Sequence, residues 1–127
     1  MKRLLLIIIF LSSINIYSQS SLDQQIEKVQ SIFKEHSLIK NDKEIFYNKS
    51  KNVLDFGKYT APLNFVEIEY DYDKEKNKHH VELKCFDKKP CFNDRTFELY
   101  IPFKTKKNCY DFINALAELN KMSLENY

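Results

Sequence analysis

The 127 residues include no tryptophan, one glycine, three prolines and three cysteines. The single glycine, Gly57, rules out a glycine-rich phosphate loop or a dinucleotide fingerprint, because both need several glycines for close backbone approach to a ligand. ATP, GTP and NAD chemistry is therefore set aside, and no cofactor is implied. Long apolar runs are also missing. The longest covers residues 4–11, and even counted through Tyr17 the apolar stretch is about fourteen residues, short of the roughly twenty a membrane-crossing helix needs.

That stretch has a different meaning. Lys2 and Arg3 precede it, and Ser12, Ser13 and Asn15 dilute it before Tyr17-Ser18-Gln19-Ser20. A cationic start, a short apolar core and a small-residue exit describe a secretory signal peptide over residues 1–18, cut after Ser18 or, nearly as well, after Ser20. No cysteine follows the cut to carry a lipid anchor, and no stable membrane insertion is expected after cleavage. The expected address is the periplasm or the exterior of a bacterial cell.

Removing the leader also removes the excess of positive charge. All 18 acidic residues lie beyond Ser18, whereas two of the 20 basic ones are Lys2 and Arg3. Residues 19–127 are thus close to neutral, and overall charge points to neither nucleic acid nor an anionic membrane. That length suits one domain with one core.

The periodicity changes twice along the chain. Leu22, Ile26, Val29, Ile32 and Phe33 form an apolar helical stripe, opened by Ser21 as N-cap with Gln24 reaching back and closing near His36. Residues 44–48 and 53–60 are weaker strand candidates. From Val66 the period is two: Val66, Ile68, Tyr70 and Tyr72 alternate with Glu67, Glu69, Asp71 and Asp73. After a polar turn, Val81, Leu83 and Cys85 alternate with His80, Glu82 and Lys84. Phe97, Leu99, Ile101 and Phe103 then alternate with Glu98, Tyr100 and Lys104. Tyr100 and Phe86 fall on the polar side, as a second buried face or a binding patch. Cys109, Phe112, Ile113, Leu116, Ala117 and Leu119 make a closing amphipathic helix, with Asn108 as its cap. The expectation is one α+β domain over 19–127: an N-terminal helix, an antiparallel β meander or partial barrel, and a C-terminal amphipathic helix.

Few residues offer chemistry. Cys85 and Cys91 have five residues between them in an exported chain, where a disulfide is the default. A thioredoxin-like pair needs the shorter Cys-x-x-Cys spacing, and a zinc site needs four ligands in matched pairs. His80 with Asp71 and Asp73 is the best metal argument, but a weak one: neighbouring His79 and His80 point to opposite faces of a strand, and solvated salt bridges explain the same residues. The acidic row Glu67, Glu69, Asp71 and Asp73 lacks the contrast of environments that acid–base catalysis by paired carboxylates requires. Cys109 sits where a helix dipole favours a thiolate, yet it lies on the apolar stripe as a small hydrophobe would.

Residues 52–122 resemble the pleckstrin-homology-like superfold, and also small exported bacterial domains of that type. The likeness is carried by "APLNFVEIEYDYD" (61–73), "HHVELKCF" (79–86) and "FELYIPFKTKKNCYDFINALAELNKM" (97–122), in which a strand runs directly into an amphipathic helix. The leading helix is an addition, and only Lys49 and Lys51 correspond to the basic loop of phosphoinositide-binding members. The resemblance implies a scaffold for protein or peptide contact, and no catalytic residue transfers. A cystatin-like arrangement, one helix on a curved sheet, is the rival and leaves the closing helix unexplained. The functional expectation is an exported, non-catalytic interaction module for an unknown protein or peptide. The alternatives are a small metal-dependent or thiol hydrolase using His80, Asp71 and Asp73 or Cys109, and a secreted inhibitor. Export through its own leader should yield a chain beginning at Gln19, or at Ser21 if the second cut is used; intact-mass analysis of the exported protein reads the difference directly.

Overall fold

The computed structural model describes residues 21–39, 44–93 and 95–125; the expected signal peptide and the turn at Asn41-Asp42 lie outside them. Two helices and two antiparallel sheets share one core, an α+β arrangement. Helix α1 occupies residues 21–36. The first sheet contains β1 (Phe46–Asn48), β2 (Val53–Asp55) and β3 (Thr60–Pro62) in that order, and the second β4 (Val66–Asp73), β5 (Lys78–Cys85) and β6 (Glu98–Phe103). Helix α2 (Lys106–Glu125) closes the fold.

The meander is divided where a proline and a helical turn interrupt it. Pro62 ends β3 without an N–H to extend a ladder, Leu63 donates its N–H to the Asn52 carbonyl at 3.1 Å, and one 3₁₀ turn (Leu63–Phe65) leads into β4. The weaker strand expectation over 53–60 splits for a similar local reason. Gly57, at φ +86°, turns the chain between β2 and β3, and Phe56 N–H bonds the Tyr59 carbonyl at 2.8 Å.

With one glycine to spend, the other hairpins use asparagine and aspartate. Asn48 accepts from the N–H groups of Ser50 and Lys51, and Asn52 closes that turn at φ +53°. Asp73 accepts from Glu75 and Lys76 N–H groups, and Asn77 closes its turn at φ +51°. The short side chains pair with nearby backbone and tolerate the left-handed region, so the two turns share one construction.

The core is mostly aliphatic, with phenylalanine rings linking its elements. Phe112 of α2 lies 5.0 Å from the Phe103 ring of β6 and 6.1 Å from the Phe33 ring of α1, and Phe33 reaches Phe56 at 5.7 Å. Val81, Leu83, Cys85 and Ile101 cover the inner face of the second sheet. Gln25 of α1 bonds the Ala115 carbonyl of α2 at 2.9 Å, fixing the helix pair. Two helix-end expectations change. Ser21 is already helical, so it is not the cap of α1. For α2 the cap is Thr105, whose Oγ1 accepts from Asn108 N–H at 3.1 Å, because helix formation begins two residues before Asn108. On the α2 stripe Ala115 is buried and Ala117 exposed.

Cys85 and Cys91 form the disulfide, with Cα atoms 5.8 Å apart. The return strand, however, starts only at Glu98, so the bridge closes a small ring inside a longer connection. Closing so short a ring stabilises the fold by about 2 kcal/mol in chain-entropy terms. Within the ring Asp87 and Lys88 both have positive φ, +59° and +56°.

Asn52 joins more elements than any other polar side chain described. Its Oδ1 accepts from Tyr47 OH at 2.6 Å, and its Nδ2 donates to Asn64 at 3.1 Å and to Asn120 of α2 at 2.7 Å. Asn52→Ala strands three partners and places a Cβ-bearing residue without a polar side chain in the left-handed region; a loss of about 2–3 kcal/mol is expected in urea unfolding. Asn52→Gly, which keeps the backbone freedom, should lose less.

Candidate functional site

The β4–β5 register sets Asp71 opposite His80 and Asp73 opposite Lys78, so only two of the three metal candidates come together. The Nδ1 of His80 is 4.0 Å from the Asp71 carboxylate, beyond hydrogen-bond reach, and this buried nitrogen has no partner among the described residues. His79 turns to the other face, where its Nδ1 meets Tyr70 OH at 2.7 Å and its ring packs on Tyr72. Among the described residues no three or more His, Cys, Asp or Glu side chains are placed to share a metal ion.

What the register does assemble is an acidic sheet face. Glu67, Glu69, Asp71 and Asp73 of β4 line up with Lys78, His80, Glu82 and Lys84 of β5, and with Glu98, Tyr100 and Pro102 of β6. Six carboxylates thus stand against two lysines and a histidine on one surface. Glu69 and Glu82 are direct cross-strand partners, an unfavourable placement for like charges. Glu82 is only 8% exposed and is compensated locally: Lys84 Nζ lies 3.3 Å away, and Tyr100 OH reaches it at 3.4 Å and Glu98 at 3.2 Å. Desolvation of the Tyr100 hydroxyl, with the nearby charges of Glu82 and Glu98, pushes its pKa up to about 12. The hydrogen bond to Glu82 raises Lys84 as well. Tyr100 is therefore a neutral donor at physiological pH, and its ring lies 6.0 Å from the His80 ring, edge to face.

Tyr100 also borders a groove. Phe33 of α1, Ile39 beyond it, Phe56, Lys58 and Tyr59 of the β2–β3 turn, and Leu99, Tyr100 and Ile101 of β6 enclose about 330 Å³. Its lining is mostly aliphatic and aromatic, and Lys58 sits 5.3 Å from the Tyr59 ring centroid. Two surfaces of different chemistry, one apolar and one acidic, therefore meet along β6. Periodicity placed Tyr100 on the polar side of its strand, and the structure leaves it 46% exposed, a patch residue over the buried Glu82. Phe86 is likewise 45% exposed. The groove itself had no signal in the sequence, because Phe33 and Phe56 read there as ordinary core.

A second aromatic cluster lies where the β4–β5 hairpin meets α2. Tyr70 is 5.2 Å from Tyr110, and Lys106 Nζ lies 5.5 Å from the Tyr70 ring centroid and 5.9 Å from that of Tyr110. Tyr72 OH donates to Asn77, tying the hairpin tip to its own turn. Burial, with Cys109 as the next contributor, raises the Tyr70 pKa.

Cys109 is fully buried under this cluster, and burial alone pushes its thiol up to about 11. The helix-dipole expectation is outweighed: one helix end cannot offset the cost of an ion in an apolar interior. No family model, no curated protein and no solved structure matches this chain. The chemistry of the site is thus read from its own geometry.

For Cys109 that geometry predicts a slow thiol. A rise from the ordinary thiol value of 9.0 to about 11 lowers the thiolate fraction at pH 8 by about 100-fold. Iodoacetamide labelling, followed by intact mass with the disulfide kept oxidised, should be slower by at least that factor in the folded protein than in urea. The unfolded chain releases the proton first, so this contribution to stability is whole below about pH 9 and declines as pH rises towards 11.

Proposed function

We propose that residues 19–127 form an exported, non-catalytic interaction module that binds a protein or peptide, delivered by the leader at residues 1–18. The observation that carries this reading is the apolar groove of about 330 Å³ opening beside an acidic sheet face, with Tyr100 shared between them. An apolar recess gives a partner's side chain a place to be desolvated, and a charged rim gives orientation and encounter rate. The pleckstrin-homology-like resemblance supports the same reading at the level of the scaffold. A secreted inhibitor would use the same surface and differ only in the identity of its partner.

Tyr100→Glu places a carboxylate at the groove mouth, next to Glu82 and Glu98, without touching the fully buried core. Immobilised wild-type chain from Gln19 should capture a reproducible partner from the native periplasm or medium. Capture by the Tyr100→Glu protein should fall at least ten-fold with far-UV circular dichroism unchanged. Identical capture by both proteins removes the groove as the binding surface, and no reproducible capture by wild type removes the module reading.

A further inference from the structure

The lysines of this chain are not spread evenly. Lys74, Lys76 and Lys78 stand at the tip of the β4–β5 hairpin, and Lys104, Lys106 and Lys107 at the corner joining β6 to α2; all are exposed. The register brings both groups to one end of the molecule, because His79, next to Lys78, pairs with Phe103, next to Lys104. Beyond that pair the hairpin continues as two strands, with Asp73 opposite Lys78, and then turns. The segment after α1 runs away from this end: Lys104 N–H bonds the His36 carbonyl at 3.1 Å, and Leu38 N–H the Pro102 carbonyl at 2.8 Å. The result is a projecting tip rich in lysine.

Few of these charges are answered locally. Lys107 pairs with Asp111 at 3.4 Å, Lys104 Nζ donates to the Glu35 carbonyl at 3.2 Å, and Lys106 rests over the Tyr70 and Tyr110 rings. Lys74, Lys76 and Lys78 have no ion-pair partner among the described residues. Of the acids beside them, Asp73 turns its carboxylate to the N–H groups of Glu75 and Lys76.

The opposite charge is gathered on the outer face of the second sheet, and much of it lies away from the tip. Glu67 is six residues before Asp73 on β4, about 20 Å along a strand. That is twice the screening length of about 10 Å at 0.1 M salt. Glu67 and Glu69 are exposed and have no ion-pair partner among the described residues. Glu69 also stands across from Glu82, a like-charge placement that added cations would relieve. The tip cannot reach these carboxylates in its own chain. It can reach them in another. Residues 19–127 are close to neutral, so two copies meet without net repulsion, and a surface with both signs segregated is complementary to itself.

We propose that the lysine tip of one copy docks on the outer β4-β5-β6 face of a second copy, with Lys74, Lys76 and Lys78 against the neighbour's Glu67, Glu69 and Glu98. The inference goes beyond the reading above, because it needs no foreign partner and the tip has no part in the groove. The contact is heterologous: a docked pair still has one free tip and one free face, so the contact repeats into open chains or closes into a ring. Each exposed charge pair contributes little, so assembly is weak, needs concentrated protein and is lost as salt screens it.

Sedimentation velocity of the chain from Gln19, over a series of protein concentrations, tests this. At low salt the weight-average mass should rise with concentration, and at high salt it should return to the monomer. Lys74→Gln, Lys76→Gln and Lys78→Gln together should raise the concentration needed for assembly at least ten-fold. Glu67→Gln, Glu69→Gln and Glu98→Gln together should do the same. These side chains lie outside the buried core, and unchanged far-UV circular dichroism checks that both variants fold. Mixed in equal amounts, the two variants supply one intact tip and one intact face, and should form a one-to-one complex although neither self-associates. Lys28→Gln, Lys89→Gln and Lys121→Gln together change net charge equally, away from the tip, and should assemble as wild type does. The proposal is overturned if wild type stays monomeric at low salt, if this last variant weakens assembly as much as the tip variant, or if the mixture forms no complex. A monomeric wild type whose tip lysines instead retain it on vesicles of equal parts phosphatidylcholine and phosphatidylglycerol would put a lipid surface at the tip and overturn it too.

Discussion

Phe112 is the contact on which the other elements depend. It meets Phe103 of β6 and Phe33 of α1, and Phe33 in turn meets Phe56 at the β2–β3 turn. Both helices and both sheets are thus connected through four rings. The two three-stranded sheets share no hydrogen-bonded ladder, so side-chain packing must hold them in place, and large aromatic surfaces provide the area to do so. Replacing Phe33, Phe103 or Phe112, all buried, by a small residue would cost about 3–5 kcal/mol, a large share of the stability of a domain this size. Polar contacts refine the same joint: Gln25 fixes α1 to α2, and Asn52 fixes the first sheet to α2.

The same packing creates the candidate site. Phe33 and Phe56 belong to the aromatic chain and also line the groove. Because the β2–β3 turn approaches β6 through side chains and not through backbone pairing, a gap of about 330 Å³ remains between them. The groove therefore lies along a strand whose backbone is paired with β5 over its whole length.

Some of this was legible residue by residue. The strict alternation from Val66 to Asp73 appears as β4, with Val66 buried but Tyr72 exposed near the hairpin tip, and Val81, Leu83 and Cys85 are buried as expected. The disulfide followed from spacing and expected compartment, although its ring proved to be part of a longer loop ending at Glu98. Helix caps were less legible. Thr105 and Asn108 are both capping residue types three positions apart, and only the backbone hydrogen bond distinguishes them. The split over 53–60 was missed because three-residue strands are too short to show a period. His80 and Asp71 were placed on one face correctly, but alternation says nothing about the 4.0 Å that separates them.

The amino-acid sequence by itself determined the fold class, the inward and outward faces of the long strands, the cysteine pair, the near-neutral charge of residues 19–127 and the expected leader. Each follows from local chemistry: periodicity, spacing or composition acts over a few neighbours. The tertiary structure decided where six carboxylates converge, that Cys109 is a buried thiol, that Asn52 is a junction, and that Tyr100 stands between a groove and an acidic face. Those outcomes depend on distances between residues far apart in the chain, and such distances are set by how the rings of Phe33, Phe56, Phe103 and Phe112 pack, which no local pattern encodes.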